Sequence, residues 1–153
     1  MSLDEDFIFD DPDDDEFERR QKRRKNLPIY KKALEIAKTA RLLASTLNGH
    51  DKEMYEYHLN ESAMIIAAKL AGAIGGGSWL VAIQNAAIVR SHAEWMLTAT
   101  SGLKHMTKAD KNYVKVLRAD MEEFRELFKD WVTELHKMEK EDFDEDEWGL
   151  FIR

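Results

Sequence analysis

The chain has 153 residues, a length typical of a single domain, and 44% of them are hydrophobic, which is enough for a buried core. It contains no cysteine, which excludes disulfides and thiolate metal sites and is typical of a reducing compartment. The net charge of −7 is unevenly placed: residues 1–18 hold ten acids and no base, residues 19–26 hold six bases, and residues 141–153 hold six acids and one base. Residues 27–140 are nearly neutral, so the overall acidity says little about what this body binds.

The N-terminal segment combines an acidic run with a basic one. Residues 1–18 surround a small apolar cluster, Phe7, Ile8 and Phe9, which is either part of a solvating tail or a motif that docks on a partner protein. Because such a run repels itself, we expect residues 1–26 to be disordered. The basic run that follows could contact nucleic acid, pair with the acidic run or form the exposed first turns of the next helix. Its candidate contacts are Arg19, Arg20, Lys22, Arg23, Arg24 and Lys25.

The sequence predicts neither an export signal nor a membrane span. The N-terminus is acidic, whereas an export signal starts with basic residues and continues with apolar ones. The most apolar region, residues 63–89, is interrupted by Lys69, by glycines 75–77 and by Gln84, and its pieces are shorter than the ~20 apolar residues that a bilayer requires. We therefore expect a soluble, cytoplasmic protein.

The first two of four predicted helices cover residues 27–47 and 51–74. Pro28 fits a first helical turn, Asn48-Gly49 is typical of a helix end, and Asp51 is a suitable N-cap for the second helix. Apolar residues of the first helix recur at spacings of three and four: Tyr30, Ala33, Leu34, Ala37, Ala40, Ala44 and Leu47.

The third and fourth helices follow a glycine-rich turn. Ser78 is a candidate N-cap for a helix from Trp79 to about Ser101, which Gly102 would close. The fourth helix is predicted to begin at Thr107, with Asp110 three residues later as in a capping box. Its apolar residues form a heptad seam: Val114, Leu117, Met121, Phe124, Phe128, Trp131, Leu135 and Met138.

Short connections between long helices predict an all-α fold, an antiparallel up-down-up-down four-helix bundle over residues 27–140. The second and third helices are apolar nearly all round, although a lone bundle buries about one face of each helix. This excess predicts self-association into a homo-oligomer. Its expected interface residues are Met64, Ile65, Ile66, Leu70, Ile74, Trp79, Ile83 and Ile88.

Polar residues interrupt the apolar third helix. Arg90 and Glu94 stand four residues apart and can form an ion pair, with Ser91 beside them. They are either a solvated stripe or a buried polar layer that fixes the register between subunits.

The C-terminal segment, residues 141–153, resembles the N-terminal one in composition. An acidic run is followed by apolar residues, among which Trp148 and Phe151 are candidates for docking on a partner. The alternative is that this segment folds back on its own bundle.

The sequence offers no catalytic or cofactor constellation. No Glu-x-x-His pair of the di-metal bundles occurs, and the single reversed pair, His58 and Glu61, falls short of a metal site. The Gly75–Ser78 turn lacks a preceding strand and a following Gly-Lys-Ser/Thr, so it predicts a tight turn between helices. We therefore expect a protein without enzymatic activity, metal or cofactor.

Three motifs together resemble the four-helix-bundle proteins encoded in intervening sequences of bacterial 23S rRNA genes. Residues 29–47 (IYKKALEIAKTARLLASTL) look like the opening helix of that family, Gly75–Ser78 like its Gly-x-Gly-Ser turn, and residues 91–94 (SHAE) like its Ser-x-x-Glu pattern. The chain departs from the family at residues 66–73 (IAAKLAGA), which lack the proline, asparagine and glutamate of the usual Ile-Pro-Ser-Asn-Ile-Ala-Glu-Gly stretch.

The resemblance implies a homo-oligomer, typically a pentameric ring. In the related accessory variability proteins of diversity-generating retroelements, such a ring is a basic scaffold for a reverse transcriptase and nucleic acid. The body of this chain is close to neutral, so the leading expectation is a non-enzymatic scaffold that binds proteins. A nucleic-acid-binding accessory protein is the alternative.

Overall fold

The computed structural model describes residues 12–106, 109–138 and 148–149. Over these residues the chain is all-α and has no strand, which confirms the predicted fold class. None of the helices in the described part of the chain is long and apolar enough to span a bilayer. The five helices are α1 (Pro12–Asn26), α2 (Pro28–Ser45), α3 (Gly49–Gly75), α4 (Trp79–Met106) and α5 (Lys111–Leu135).

Helix α1 corrects the expectation of disorder for part of the N-terminal segment. The chain is helical from Pro12 to Asn26, and most of its side chains are exposed. Its acids are concentrated near its N-terminus and its bases in the last turn, an arrangement that the helix dipole favours. The Arg20 guanidinium also pairs with the Glu16 carboxylate one turn earlier, at 2.5 Å. Charge placement therefore stabilises a helix that buries very little apolar surface.

The four long helices enclose a common core. Helix α2 packs against α3 and α5, and α4 packs against the same two helices on the other side. The core cluster draws fully buried side chains from all four, such as Ile36, Leu59, Val89 and Leu117. The predicted heptad seam of α5 is confirmed: Val114, Leu117, Met121, Phe124 and Leu135 are buried, while Phe128, Trp131 and Met138 are partly buried against the core.

Several helix ends follow the predicted chemistry. Pro28 lies in the first turn of α2, and the Ser78 hydroxyl accepts a hydrogen bond from the backbone N–H of Val81 at 3.2 Å. The start of α5 differs from the prediction: the helix begins at Lys111, and Asp110, expected as the capping-box acid inside the helix, is itself the N-cap, because its carboxylate accepts from the backbone N–H groups of Asn112 and Tyr113. Thr107, the predicted start of this helix, lies outside the described residues.

Two glycines act differently from the prediction. Gly49 does not close α2 but begins α3, and its φ of +52° is the left-handed conformation that glycine adopts without strain. Gly102 lies inside α4 rather than at its end. A Cβ atom at Gly102 would stand 3.3 Å from the Tyr55 hydroxyl, so this glycine allows α3 and α4 to approach closely.

Candidate interaction surfaces

The described residues contain no cluster of three or more His, Asp or Glu side chains that could hold a metal ion. The predicted pair of His58 and Glu61 lies on the surface, with 3.7 Å between Nδ1 and Oε2. The His58 ring also packs against Trp95 of α4, with ring centroids 5.8 Å apart. This pair supplies at most two ligands, fewer than the three or four protein ligands of a zinc site.

Three of the predicted interface residues are inner core residues. Ile66 and Leu70 have no exposed surface, and Trp79 is 6% exposed. The assignment of these three side chains to a contact between copies is therefore corrected. They lie on the side of α3 and α4 that faces the other helices of the same chain. When a helix is apolar all round, its sequence does not show which of its sides faces the core.

The outward side of α3 nevertheless exposes several large apolar side chains among charged ones. Met54, Tyr57 and Met64 are 52%, 67% and 66% exposed, and they recur at spacings of three and seven, which places them on one side of the helix. Ala68 is exposed on the same face, and Ile65 beside it is half-buried. A groove of about 800 Å³ follows this face and is lined by Lys52, Glu53, Glu56, Tyr57, Asn60, Glu61, Met64 and Ile65. We call the outward apolar residues Met54, Tyr57, Met64, Ile65 and Ala68 the α3 face.

The other predicted interface residues are less exposed. Ile88 on α4 is 37% exposed, whereas Ile74 and Ile83 are half-buried. Met54 and Tyr57 were missing from the predicted interface because they stand in the charged first half of α3. Their helical spacing to Met64 is the signal that could have identified them.

Arg90, Ser91 and Glu94 are all exposed on α4. The predicted ion pair is confirmed, with the Arg90 Nε donating to Glu94 Oε1 at 2.9 Å. Within one chain these residues form a solvated stripe, and a polar layer between copies stays a prediction.

The polar contacts that join helices within the chain involve other residues. The Ser62 hydroxyl and His92 Nδ1 lie 3.0 Å apart and connect α3 with α4. The Arg118 guanidinium donates from α5 to the carbonyl oxygen of Leu97 at 2.9 Å and to the Thr100 hydroxyl at 3.1 Å. Each contact places a polar group opposite a specific partner, which fixes the register of the packed helices.

Lys32 is the centre of an acidic cluster between α2 and α5. Its Nζ lies 2.7 Å from Glu123, 2.6 Å from Glu35 and 3.6 Å from Asp120, and its side chain is 15% exposed. The hydrogen bonds to Glu123 and then Glu35 raise the pKa of the Lys32 ammonium well above its ordinary value. Since Thr39 also donates to Asp120 at 3.3 Å, the cluster joins the two helices.

The predicted nucleic-acid contacts all lie on α1. Those fully on the surface are Arg19, Arg20, Lys22, Arg23 and Lys25. Arg24 is half-buried, with its guanidinium carbon 5.9 Å from the centre of the Tyr30 ring, and its contact with nucleic acid stays a prediction like that of the others. The exposed bases point in several directions around the helix, so they do not form one flat basic face.

The predicted docking residues Phe7, Ile8, Phe9 and Phe151 lie outside the described residues. Trp148 is described and is 93% exposed.

The seam between α4 and α5 contains a groove that the sequence analysis did not identify. Its apolar end, about 380 Å³, is lined by Arg90, Ala93, Glu94, Leu97, Met121, Phe124, Arg125, Phe128 and Lys129. Its cationic end, about 470 Å³, is lined by Lys104, Lys111, Val114, Lys115 and Arg118. The two ends meet where Arg118 donates to the Leu97 carbonyl. Lys111, Lys115 and Arg118 stand four and three residues apart on α5, a spacing that signals one cationic stripe, whereas the position of Lys104 beside them depends on how α4 packs against α5.

Comparisons of this chain with family models, with curated proteins and with solved structures found no match.

Proposed function

We propose that this protein is a non-enzymatic, homo-oligomeric helical scaffold that assembles through the α3 face and needs no metal or cofactor. The observation that carries the proposal is the exposure of Met54, Tyr57 and Met64, each more than half accessible, along one side of α3. Fully burying a large apolar side chain contributes roughly 1.5–3 kcal/mol, and each of these three contributes only part of that because it is already partly covered. Several such side chains from each copy are therefore needed to offset the loss of translational and rotational freedom on association.

The small residues on this face support a close helix–helix contact between copies. Ala68 and Gly72 are exposed beside Met64 and Ile65, so the backbone of a neighbouring helix can approach α3 there. Ile88 contributes a further exposed apolar side chain from α4. In the proposed assembly, Arg90 and Glu94 form a polar layer at the border of the contact.

The proposed subunit is an antiparallel up-down-up-down four-helix bundle of α2 to α5. Each of these helices packs against two others, and the connections between them are short, which favours antiparallel neighbours. The proposed assembly is a pentameric ring in the cytoplasm, as the resemblance to the rRNA-intervening-sequence proteins implies.

Light scattering of the purified protein tests the assembly. We expect a mass several times the 17.8 kDa of the chain. Met64→Glu places a charge on the α3 face and should shift the mass toward 17.8 kDa without changing the helical circular dichroism. Leu34→Glu on α2, at a position 48% exposed and away from the α3 face, is the matched control and should leave the mass unchanged. A wild-type monomer at high concentration would contradict the proposal.

A nucleic-acid-binding role is the second candidate function. The observation in its favour is that Arg19, Lys22 and Arg23 are exposed on α1. Binding of a short RNA duplex should then weaken steeply with salt and be lost when these three residues are changed to Gln. Arg90→Gln, on the body, is the control. Absence of binding at low salt would refute this role.

A further inference from the structure

The cations at the two ends of the α4/α5 seam differ in their partners. At the apolar end, Arg90, Arg125 and Lys129 each pair with a glutamate on the same helix, at 2.8–2.9 Å. At the cationic end, the described residues place no carboxylate within ion-pair distance of Lys104, Lys115 or Arg118. Lys104, Lys115 and Arg118 therefore carry positive charge that no ion pair with a described acid neutralises, directly beside an apolar groove.

We propose that the seam binds the acidic and aromatic segment 141–153 of a second copy of this chain. The six acids within residues 141–147 would lie along the cationic end, and Trp148 and Phe151 would enter the apolar groove. In the sequence of the segment, the acidic run EDFDEDE is followed directly by the apolar and aromatic residues WGLF. Trp148 is 93% exposed in the chain that carries it, so its ring is accessible to another copy.

The spacing of the two ends matches that of the segment. The cationic end is centred near Val114 and the apolar end near Phe124, ten residues along α5, or ~15 Å at 1.5 Å per residue. In an extended peptide, the middle of the acidic run and the aromatic residues are separated by about 15–20 Å. One extended peptide can therefore place its acids and its aromatic rings at the two ends together.

The direction of the segment favours a second copy over the same chain. Segment 141–153 leaves its own body at the C-terminal end of α5, whereas the cationic end surrounds the N-terminal turns of that helix. Helix α5 has 25 residues, which corresponds to ~37 Å. A segment that ran back from that end along its own α5 would meet the apolar end first with its acidic run and the cationic end later with its aromatic residues, which is the reverse of the matching order.

An acidic peptide fits the seam better than a nucleic acid does. A phosphate backbone would be attracted to the lysines but would leave the groove over Leu97 and Phe128 uncovered. Apolar and aromatic side chains next to carboxylates match both ends of the seam. The α3 face takes no part in this contact, so the proposal stands or falls separately from the proposed assembly.

Zero-length carbodiimide cross-linking tests the contact in the full chain. Equal amounts of ¹⁴N- and ¹⁵N-labelled protein are mixed, refolded together and treated, and cross-links between carboxylates 141–147 and Lys104 or Lys115 are identified by mass spectrometry. We expect these cross-links, with about half of them joining a light peptide to a heavy one. Cross-links found only between peptides of the same label, or none to these lysines, would overturn the proposal.

Binding of a fluorescent peptide of residues 141–153 to the full chain measures the contribution of the aromatic residues and that of the lysines separately. Replacing Trp148 and Phe151 of the peptide by Ser should weaken binding tenfold or more, because aromatic anchors dominate such contacts. Changing Lys104 and Lys115 of the protein to Glu should weaken it about tenfold, and the charge-matched control, Lys31→Glu with Lys38→Glu on α2, should have little effect. Equal losses in both lysine pairs would reject the seam as the site. Tighter binding of a thymidine oligonucleotide that displaces the peptide through the same lysines would also reject the proposal, in favour of nucleic acid.

Discussion

Removal of the Lys32 ammonium tests whether the acidic cluster joins α2 to α5. Lys32→Met keeps a long apolar side chain but leaves Asp120, Glu123 and Glu35 facing one another. Coulomb's law gives roughly 5 kcal/mol for unit charges separated by 3.6 Å at an effective dielectric constant of about 20. Solvent screening at the two exposed glutamates and the desolvation of the ammonium offset most of this, so we expect a loss of about 1–2 kcal/mol.

Urea denaturation of four proteins gives the coupling directly: the wild type, Lys32→Met, Asp120→Asn and the double variant. We expect a coupling free energy of about 1 kcal/mol between Lys32 and Asp120, and almost no change for Lys38→Met, an exposed lysine on the same helix. The contribution is present below the ordinary lysine pKa of about 10.4 and is lost as the pH rises through the higher pKa of the folded state. A Lys32→Met loss below about 0.5 kcal/mol at pH 7, or one that grows at alkaline pH, would refute the assignment.

Three further substitutions test the helix caps and the core by urea or thermal denaturation. Asp110→Ala removes the N-cap that accepts from two backbone N–H groups of α5 and should cost about 1 kcal/mol; no loss would mean that the cap is dispensable. Phe124→Ala leaves a cavity at a side chain that is 2% exposed and should lower the free energy of unfolding by about 3–5 kcal/mol. The control Val116→Ala, at a side chain 49% exposed, should lower it by less than about 0.5 kcal/mol, and similar losses would place Phe124 at the surface. Gly49→Ala should cost about 1 kcal/mol because its φ is +52°, while Gly75→Ala, which also meets open space, should be neutral or stabilising; equal effects would contradict the left-handed turn.

The amphipathic parts of the fold could be predicted from the sequence. The seam of α5 alternates at three and four residues among charged neighbours, so only one of its faces can be buried. Helix α2 was predicted with a slightly rotated face: Leu34 is 48% exposed, while Ile29, Ile36 and Leu43 point inward. Because apolar residues of α2 lie on both sides of the centre of its buried face, periodicity alone leaves the rotation of the helix about its axis uncertain by one residue.

Helix α1 shows where composition misled. An acidic run next to a basic run predicts disorder when only net charge and hydrophobicity are weighed. The order of charges along the segment favours a helix instead, because acids precede bases and Glu16 stands four residues before Arg20. Pro12 at the first helical position was a further signal.

The candidate surfaces could be predicted only in part. The excess of apolar residues on α3 was evident from the sequence, but which of them face outward depends on how α3 packs against α2 and α4. Met64 is 66% exposed, so its predicted role at the interface stays open, whereas Ile66 and Leu70 were assigned to the wrong side. The cationic stripe of Lys111, Lys115 and Arg118 follows from their spacing on α5, but its position beside Lys104 and the apolar groove depends on how α4 packs against α5.

The central claim is that the α3 face is covered by another copy of the chain, and thiol labelling at position 64 tests it most directly. Because the chain has no cysteine, Met64→Cys introduces a single thiol, and Leu34→Cys provides the matched control. The account predicts that maleimide labelling of the Met64→Cys variant slows several-fold as the protein concentration rises, while labelling of the Leu34→Cys variant stays constant. Labelling of the Met64→Cys variant at the same rate at every concentration would contradict it.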